Sequence, residues 1–462
     1  MTDDHVHSAV GAGFGPANLS LAVALEEFGY PGTVRFVERA RGFQWQDEQL
    51  LSGTDIQNNP FRDLAMPRRP DSRHSFVNYL ACRGKLTDYL HLNLKFPLRR
   101  EYAGYLAWVA ESFRGSVDYG EPAVRLSLAR SGDGEVFRVE TGSGRCLLGE
   151  TFVLGTGRSP RVPAEFQDAL GPTVFHSTRY LTSVKGLAAR ARGTGGLRVV
   201  VVGASQSAIE IVLDLLGRPD VAQVTSIHRG IGFRLKDTSP YSRRVFLPEF
   251  VDYFHPLPAE TKRRIRAELR TVNYAACDQD VIDRLAAAQY ENELTGADRL
   301  RLMPFSEVAR VRPRLRGGHR LLVRDVNHRT ESTCDADAVI LATGFRDFGA
   351  GPGDERYHPL LEGVADRLPL DDQGVPVVAR DYSVELAGRG RGRRPLRLFL
   401  NGLCEASHGM GDAGALAVLS ARAADIAGSL MRYPSGMSAG AGGRRSVRDA
   451  RIPEHMVAEV FR

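Results

Sequence analysis

Two glycines near the start of the chain have the spacing of a turn that binds a dinucleotide. Gly11 and Gly13 follow an apolar run and precede a helix-forming stretch from Asn18 to Glu27. Gly11 permits a tight turn, and Gly13 lets the backbone approach a pyrophosphate held at the helix N-terminus. Gly15 departs from the plain GxGxxG pattern, in which the third glycine lies three residues after the second.

An acidic residue supports a ribose-binding role for the same turn. Glu38 lies 27 residues after Gly11, directly after a second apolar run from Val34 to Val37. A carboxylate there accepts hydrogen bonds from the two hydroxyls of a ribose. The first turn therefore predicts an FAD site. Trp45 is a further candidate contact, with packing in the protein core as its alternative role.

A second turn of this kind follows the run RVVVV. Gly203 precedes Ser205, Gln206 and Ser207, which open a helix-like stretch. A single glycine is weak evidence by itself. However, Arg229 lies 26 residues after Gly203, where a guanidinium binds the 2′-phosphate that a carboxylate would repel. The second turn therefore predicts an NADPH site.

These turns predict an α/β fold with two Rossmann-like dinucleotide-binding domains and a small helical insertion for the substrate. The strand AVILATGF and another from Leu396 to Asn401 are expected to return the chain to the first domain. The stretch between Leu247 and Leu300 is charged and favours helix. The predicted bounds are 1–190 and 336–432 for the FAD-binding domain, 191–238 and 301–335 for the NADPH-binding domain, 239–300 for the helical segment, and 433–462 for a mobile tail.

Composition excludes several other classes of protein. The 462 residues are 43% hydrophobic and 25% charged, which suits two or three packed domains. The net charge of +6 comes from 61 basic and 55 acidic residues spread along the chain. Five scattered cysteines without a CxxC pair argue against a disulfide framework or a zinc site. Without a signal segment or a membrane-length apolar run, the expectation is a cytoplasmic homo-oligomer that binds no metal, nucleic acid or membrane.

The segments around these turns resemble one family. FQWQDEQLLSGTDIQNNPFRDLAMPRRPD, FHSTRY, SPYSRRVFLPEF, VNYAACD and SHGMGDAGALAVLS are together similar to the ornithine and lysine N-hydroxylating monooxygenases of siderophore synthesis. The similarity extends from about Val10 to Ile426. It implies that NADPH reduces FAD, that the flavin holds dioxygen as a C4a-hydroperoxide shielded by NADP⁺, and that oxygen passes to a neutral amine.

The resemblance gives expected roles to particular residues. Gln57 matches a catalytic glutamine that hydrogen-bonds near the flavin and the nicotinamide, and Asn273 matches an asparagine that contacts the substrate. Arg229 matches the arginine of the 2′-phosphate site. His408 and Asp412 suggest a catalytic role, but a histidine before a helix start favours a helix-capping or flavin-packing role for His408. The remaining candidate cofactor contacts are Thr343 and Gly344.

Two positions depart from the family pattern. Arg62 stands where the family has a substrate-binding lysine, and Arg243 stands where it has a substrate-binding asparagine. Near the C-terminus, small and apolar residues from Ala413 to Leu416 replace the family's Leu-Leu-Ser. Two cations about 4 Å apart repel by ~4 kcal/mol at an effective dielectric of about 20, so a counter-charge must arrive with the substrate.

An acidic amino acid would bring two carboxylates to these two arginines. The expected substrate is therefore L-aspartate, oxidised at its amine to the hydroxylamine and on to nitrosuccinate, as in some relatives of the family. Three alternatives stay open. The chain is an L-ornithine or L-lysine side-chain hydroxylase of siderophore biosynthesis, or Arg243 points to solvent, or Arg62 merely replaces one cation with another.

Other flavoprotein classes fit the sequence less well. A Baeyer–Villiger or sulfide monooxygenase requires FxGxxxHxxxW before the second turn, and the stretch LGPTVFHS lacks the tryptophan. A disulfide reductase requires a redox cysteine pair. A non-enzymatic flavoprotein would have no use for a separate NADPH site. The favoured function is an N-monooxygenase that uses FAD, NADPH and dioxygen on a small amino acid.

The assignment of Arg229 predicts a nucleotide-specific defect. Arg229→Ala should weaken NADPH binding by about 1.5–3 kcal/mol, because it removes hydrogen bonds between charged groups. NADH binding should change little, since NADH has no 2′-phosphate. Dissociation constants for both nucleotides check this, and an equal loss for both would remove Arg229 from the 2′-phosphate site.

Overall fold

The computed structural model describes residues 2–132, 134–190, 195–315, 317–388 and 395–432. The mobile tail predicted for 433–462 lies outside these residues. The strands are β1 (Thr2–Ala12), β2 (Val34–Glu38), β3 (Val117–Tyr119), β4 (Ala123–Ser131), β5 (Gly134–Thr141), β6 (Cys146–Leu154), β7 (Val174–His176), β8 (Leu197–Val202), β9 (Val221–Ile227), β10 (Leu300–Met303), β11 (Ser306–Pro313), β12 (His319–Asp325), β13 (Glu331–Ala336), β14 (Ala338–Leu341), β15 (Ser383–Glu385) and β16 (Arg397–Leu400).

Helices alternate with these strands, as the α/β prediction requires. They are α1 (Pro16–Glu27), α2 (Phe76–Cys82), α3 (Leu86–Leu92), α4 (Arg99–Glu111), α5 (Tyr180–Arg190), α6 (Gln206–Leu216), α7 (Pro248–Phe254), α8 (Ala259–Glu268), α9 (Gln279–Thr295), α10 (Glu405–His408) and α11 (Leu419–Arg432). In the described part of the chain, no helix is long and apolar enough to cross a membrane. None of the five cysteines forms a disulfide, and all except Cys82 are buried.

The first sheet has eight strands and contains the first glycine turn. Its main order is β15-β16-β6-β1-β2-β3, and the antiparallel pair β4 and β5 joins it through β6. β1 lies parallel to both β2 and β6, with Ala12 opposite Val37 on one side and Leu154 on the other. Because parallel strands end at the same edge, the segments after these three strands meet there.

The second sheet has five parallel strands in the order β10-β9-β8-β14-β7. The set of strands in this sheet differs from the predicted domain bounds, which placed β7 and β14 in the FAD-binding domain. β14 pairs with β8 on one side and β7 on the other, and all four of its residues are buried. An apolar strand of this kind requires neighbours on both edges, and β8 and β7 provide them.

The helical insertion divides between two environments. α9, predicted to be part of the substrate segment, packs against the second sheet, with Val281 and Leu285 in the same core cluster as α6. The segment before it forms a separate small cluster of Val245, Phe246 and Val272. The first half of the insertion is therefore the part available to shape a pocket, while α9 stabilises the second sheet.

A buried ion pair joins the two sheet units. Arg99, at the start of α4, donates two hydrogen bonds of 2.9 Å to the carboxylate of Glu210 in α6. Arg99 also donates to the carbonyl oxygen of Gln49. The side chains of Arg99 and Glu210 are only 7% and 3% exposed. The pair therefore fixes the position of α6 relative to the first sheet unit.

Removing one member of this pair should destabilise the protein strongly. Arg99→Met leaves the Glu210 carboxylate buried without its cation, at an expected cost of about 3–5 kcal/mol. Urea unfolding of the purified protein measures the loss. The matched control is Arg114→Met, which breaks an exposed pair with Glu111 and should leave the unfolding midpoint unchanged. Equal effects of the two substitutions would contradict the interpretation.

Candidate active site

The first glycine turn has room for backbone only. Gly13 has a φ of +81°, and a Cβ on it would lie 2.7 Å from the carbonyl oxygen of Gly155, in the segment after β6. A Cβ on Gly11 would lie 2.3 Å from the ring of Phe36. Gly15 caps α1 without steric restriction, and no side chain caps this helix end. The first amide groups of α1 are thus available to an anion.

Glu38 lies beside this turn at the end of β2. Its carboxylate accepts hydrogen bonds from the backbone N–H groups of Phe14, at 2.7 Å, and Ala40, at 2.8 Å. The turn and the acid therefore form one continuous cradle. A helix end for a pyrophosphate beside a carboxylate for a ribose fits an FAD adenosine moiety.

The second turn repeats the same contact between neighbouring loops. Gly203 has a φ of +138°, and a Cβ on it would lie 2.3 Å from the carbonyl oxygen of Ala342, directly after β14. Ser205 is the N-cap residue of α6 and makes no side-chain capping bond. Thr343 and Gly344 follow Ala342, so these two candidates lie at the edge of the second sheet.

The loop after β6 in the first sheet corresponds to the loop after β14 in the second sheet, and the sequence analysis did not identify it as part of the site. Gly155 and Thr156 follow β6 in the run LGTG, just as Gly344 follows β14 in the run LATG. Each run follows a buried strand that is adjacent to the strand of a glycine turn. The repetition of this short pattern was the available signal.

Arg229 lies two residues beyond the end of β9 and is exposed to solvent. Among the described residues, none forms a hydrogen bond or an ion pair with its guanidinium. The position therefore fits a phosphate-binding role. By contrast, Gln206 and Ser207 already have partners: the Gln206 amide bonds Glu210 and the N–H of Asp278, and the Ser207 hydroxyl donates to Gln49.

Gln57 forms a hydrogen bond to Asp278, the residue before α9, which packs on the second sheet. It adopts a left-handed backbone with a φ of 53°, and its amide nitrogen donates to the carboxylate of Asp278 at 2.7 Å. The backbone N–H of Asp278 in turn donates to the side chain of Gln206. Gln57 is thus linked through Asp278 to Gln206 at the start of α6, and its role beside the flavin and the nicotinamide stays a prediction.

The two predicted substrate arginines lie near each other. Arg62 and Arg243 are both partly buried, and in the described structure neither forms an ion pair with a carboxylate. Nη1 of Arg62 is buried and has no hydrogen-bond partner in the described part of the chain. Burial and repulsion from Arg243 lower the pKa of the Arg62 guanidinium. The pair is a site of uncompensated positive charge.

Asn273 lies in the wall of the same region. Its amide nitrogen donates to the carbonyl oxygen of Met410 at 3.3 Å. The 3-10 turn Ser242–Phe246, which carries Arg243, packs against Val272 and the small residues after Gly414. A Cβ on Gly414 would lie 2.9 Å from Asn273 Nδ2, so the glycine lets the Asn273 amide approach the backbone closely.

A buried acidic group behind this wall was not predicted. Glu405, only 2% exposed, accepts a hydrogen bond from the hydroxyl of Tyr274, the neighbour of Asn273. Arg158 and Arg266 lie within 3.8 Å of its carboxylate. No motif connects residues this far apart in sequence, and the glutamate stands in the run CEASHG without a recognisable pattern.

Two other candidates lie in packed surroundings. His408 ends α10 rather than preceding a helix, so the capping alternative is wrong. Its ring stacks on Tyr382 at 4.1 Å, and burial lowers its pKa to about 3, which keeps it neutral. Trp45 packs in an aromatic cluster, 5.8 Å from Tyr102. Among the described residues, no group of His, Cys, Asp and Glu side chains could hold a metal ion.

Comparisons with known proteins agree with this geometry. The family model described as L-lysine 6-monooxygenase/L-ornithine 5-monooxygenase matches residues 5–347. The L-ornithine N(5)-monooxygenase of Pseudomonas aeruginosa is 31% identical over 438 residues, covering 93% of this chain and 94% of the relative.

Solved structures give the same result. The ornithine N-hydroxylase of Kutzneria sp. 744, solved with reduced FAD, NADP⁺ and L-ornithine, has a TM-score of 0.83 and 31% identity. That similarity covers 93% of this chain and 99% of the other. The L-lysine 6-monooxygenase of Pseudomonas syringae has a TM-score of 0.79 and 33% identity, covering 92% and 99%. Because these matches span most of the chain, it belongs to the L-lysine 6-monooxygenase/L-ornithine 5-monooxygenase family, as its motifs predicted.

Proposed function

We propose that this chain uses FAD, NADPH and dioxygen to hydroxylate the side-chain amine of an amino acid of the ornithine or lysine type. The observation that carries the proposal is the partly buried pair Arg62 and Arg243, neither of which forms an ion pair with a carboxylate in the described part of the chain. A substrate carboxylate supplies the missing negative charge.

The two glycine turns support the choice of cofactors. We assign the FAD adenosine and pyrophosphate to Gly11, Gly13, Gly15 and Glu38, since these residues form the cradle described above. Bound FAD, once reduced by NADPH, supplies the activation of dioxygen. Arg229 is the proposed ligand of the 2′-phosphate of NADPH. The relative from Kutzneria, solved with reduced FAD and NADP⁺, supports both assignments.

The chain's own residues position the substrate. The two guanidinium groups bind the α-carboxylate through charge-assisted hydrogen bonds, and Asn273 adds a further polar contact. Fixing the carboxylate end determines how far the side-chain amine extends towards the flavin. Gln57, bound to Asp278, is proposed to hold the nicotinamide side of the site in place and to keep water away.

The relatives favour ornithine or lysine as the substrate. The sequence analysis favoured aspartate instead. The named relatives are ornithine or lysine monooxygenases. The charges near the pocket also suit a diamino acid. Arg62 and Arg243 complement the single carboxylate of such a substrate.

L-Aspartate stays as the second candidate because of one specific observation. Two partly buried arginines replace the lysine and asparagine of the family pattern, and two carboxylates would neutralise both. In that case the α-amine is the oxidised group. The two candidates make opposite predictions for the same set of amino acids.

A substrate panel distinguishes the candidates. Ornithine or lysine should give coupled hydroxylamine formation, measured by mass spectrometry and NADPH consumption, with aspartate and glutamate far weaker. Arg62→Met should raise KM for the preferred substrate about 10–100-fold with little change in kcat, because it removes binding common to ground and transition states.

The matched control for this variant is Arg83→Met, on the exposed surface of the protein, which should leave KM unchanged. Coupled oxidation of aspartate with no product from ornithine or lysine would reverse the order of the two candidates. An unchanged KM in Arg62→Met would remove Arg62 from the carboxylate site.

A further inference from the structure

Glu405 is a buried carboxyl group without an assigned role in the reaction. Its carboxylate accepts a hydrogen bond from the hydroxyl group of Tyr274. The guanidinium groups of Arg158 and Arg266 lie 3.8 and 3.7 Å from this carboxylate. Both arginines also bind Asp347, at 2.8 and 2.7 Å. Two cations and two anions therefore balance when Glu405 is ionised.

Tyr274 is the connection between this cluster and the pocket. Tyr274 follows Asn273 in the chain; the residue as a whole is half-buried, but its hydroxyl group is enclosed, as is Glu405. A Cβ on Gly414 would lie 2.2 Å from the Tyr274 hydroxyl oxygen and 2.9 Å from the Asn273 amide nitrogen. The absence of a side chain at Gly414 thus keeps this hydroxyl next to the proposed substrate residues.

The reaction requires a change in the protonation of the substrate. A lysine-like amine has a pKa of about 10.4, so it reaches the enzyme as an ammonium ion. An ammonium nitrogen has no lone pair with which to attack an oxygen atom. A group at the pocket must therefore accept one proton before the nitrogen–oxygen bond forms.

We propose that Tyr274 and Glu405 form the proton-accepting relay for the substrate amine. The ammonium N–H donates its proton to the hydroxyl oxygen of Tyr274, while the hydroxyl proton of Tyr274 passes to the carboxylate of Glu405. The products of this step are a neutral amine, an unchanged tyrosine and a protonated glutamic acid. The inference rests on the proposed amine substrate.

This step balances the overall reaction. An ammonium substrate, dioxygen and NADPH yield a neutral hydroxylamine, NADP⁺ and water without net uptake of a proton. The proton stored on Glu405 is the one that leaves with the second oxygen atom in water. Glu405 thereby returns to its ionised state after each turnover.

The surroundings of Glu405 suit a proton acceptor near neutral pH. Burial, followed by repulsion from Asp347, raises the pKa of Glu405 to about 7, although Arg158, Arg266 and Tyr274 act in the opposite direction. The other charged or titratable groups on the helices packed against α10 are Glu249, Asp252 and Tyr253 on α7, His255 directly after α7, and Glu260, Lys262, Arg263, Arg264 and Glu268 on α8. Tyr274 stays protonated, because burial and Glu405 raise its pKa well above the usual value.

The pH profile of the reaction tests the relay. In the wild type, kcat/KM for ornithine should rise with pH and level off above about 7, where Glu405 is ionised. Glu405→Gln should lower kcat/KM about 100-fold near neutral pH. The variant should then recover about tenfold per pH unit towards the pKa of the free amine, about 10.4. Tyr274→Phe should give the same alkaline recovery.

A second measurement does not depend on turnover. Ornithine binding to the oxidised protein with NADP⁺ should lower the pH at which the infrared band of the protonated Glu405 carboxyl disappears, because the bound ammonium favours the carboxylate. The band should be missing in Glu405→Gln, and ornithine should shift it less in Tyr274→Phe, which breaks the hydrogen-bonded link. Glu355→Gln, which alters a partly buried carboxyl that accepts from Ser159, should keep both the band and the wild-type pH profile.

The outcomes separate the two proposals. A uniform loss of activity at all pH values, or a band that persists in Glu405→Gln, would overturn the relay. A wild-type enzyme that hydroxylates no amine would overturn the proposed function. In that case the shift of the infrared band on ornithine binding still decides whether the substrate ammonium lies beside Tyr274 and Glu405.

Discussion

The buried ion pair between Arg99 and Glu210 is the interaction on which the site depends. It fixes α6 of the second sheet unit against α4 of the first, and it is supported by the hydrogen bonds from Gln57 to Asp278 and from Ser207 to Gln49. These bonds link the two sheet units that carry the two glycine turns.

Local sequence patterns predicted the features that depend on short-range geometry. Gly13 and Gly203 are restricted by neighbouring backbone, so a glycine is the residue that fits there. Glu38 ends β2 and Arg229 lies two residues after β9, so both lie at the carboxyl ends of parallel strands, and their cofactor roles stay predictions. The strand after Leu396 and the helices of the insertion were also predicted, since their apolar patterns are strong.

Features that depend on distant contacts could not be predicted in the same way. β14 has the composition of any buried strand, and its assignment to the second sheet is decided by pairing with β8 and β7. The contact of Tyr274 with Glu405 joins residues 131 positions apart. The roles of Arg62 and Arg243 came from comparison with a family pattern, and their choice of substrate depends on the whole charge distribution of the pocket.

We propose that Arg62 and Arg243, which have no counter-ion in the described part of the chain, recognise a substrate carboxylate. Ornithine and putrescine carry the same terminal amine and differ by this carboxylate, so their kcat/KM ratio isolates its contribution. The wild type should prefer ornithine by about 10–150-fold, the range for hydrogen bonds between charged groups. The preference should fall towards one when Arg62 and Arg243 are both replaced by Met. Equal kcat/KM values for ornithine and putrescine in the wild type would contradict carboxylate recognition by the two arginines.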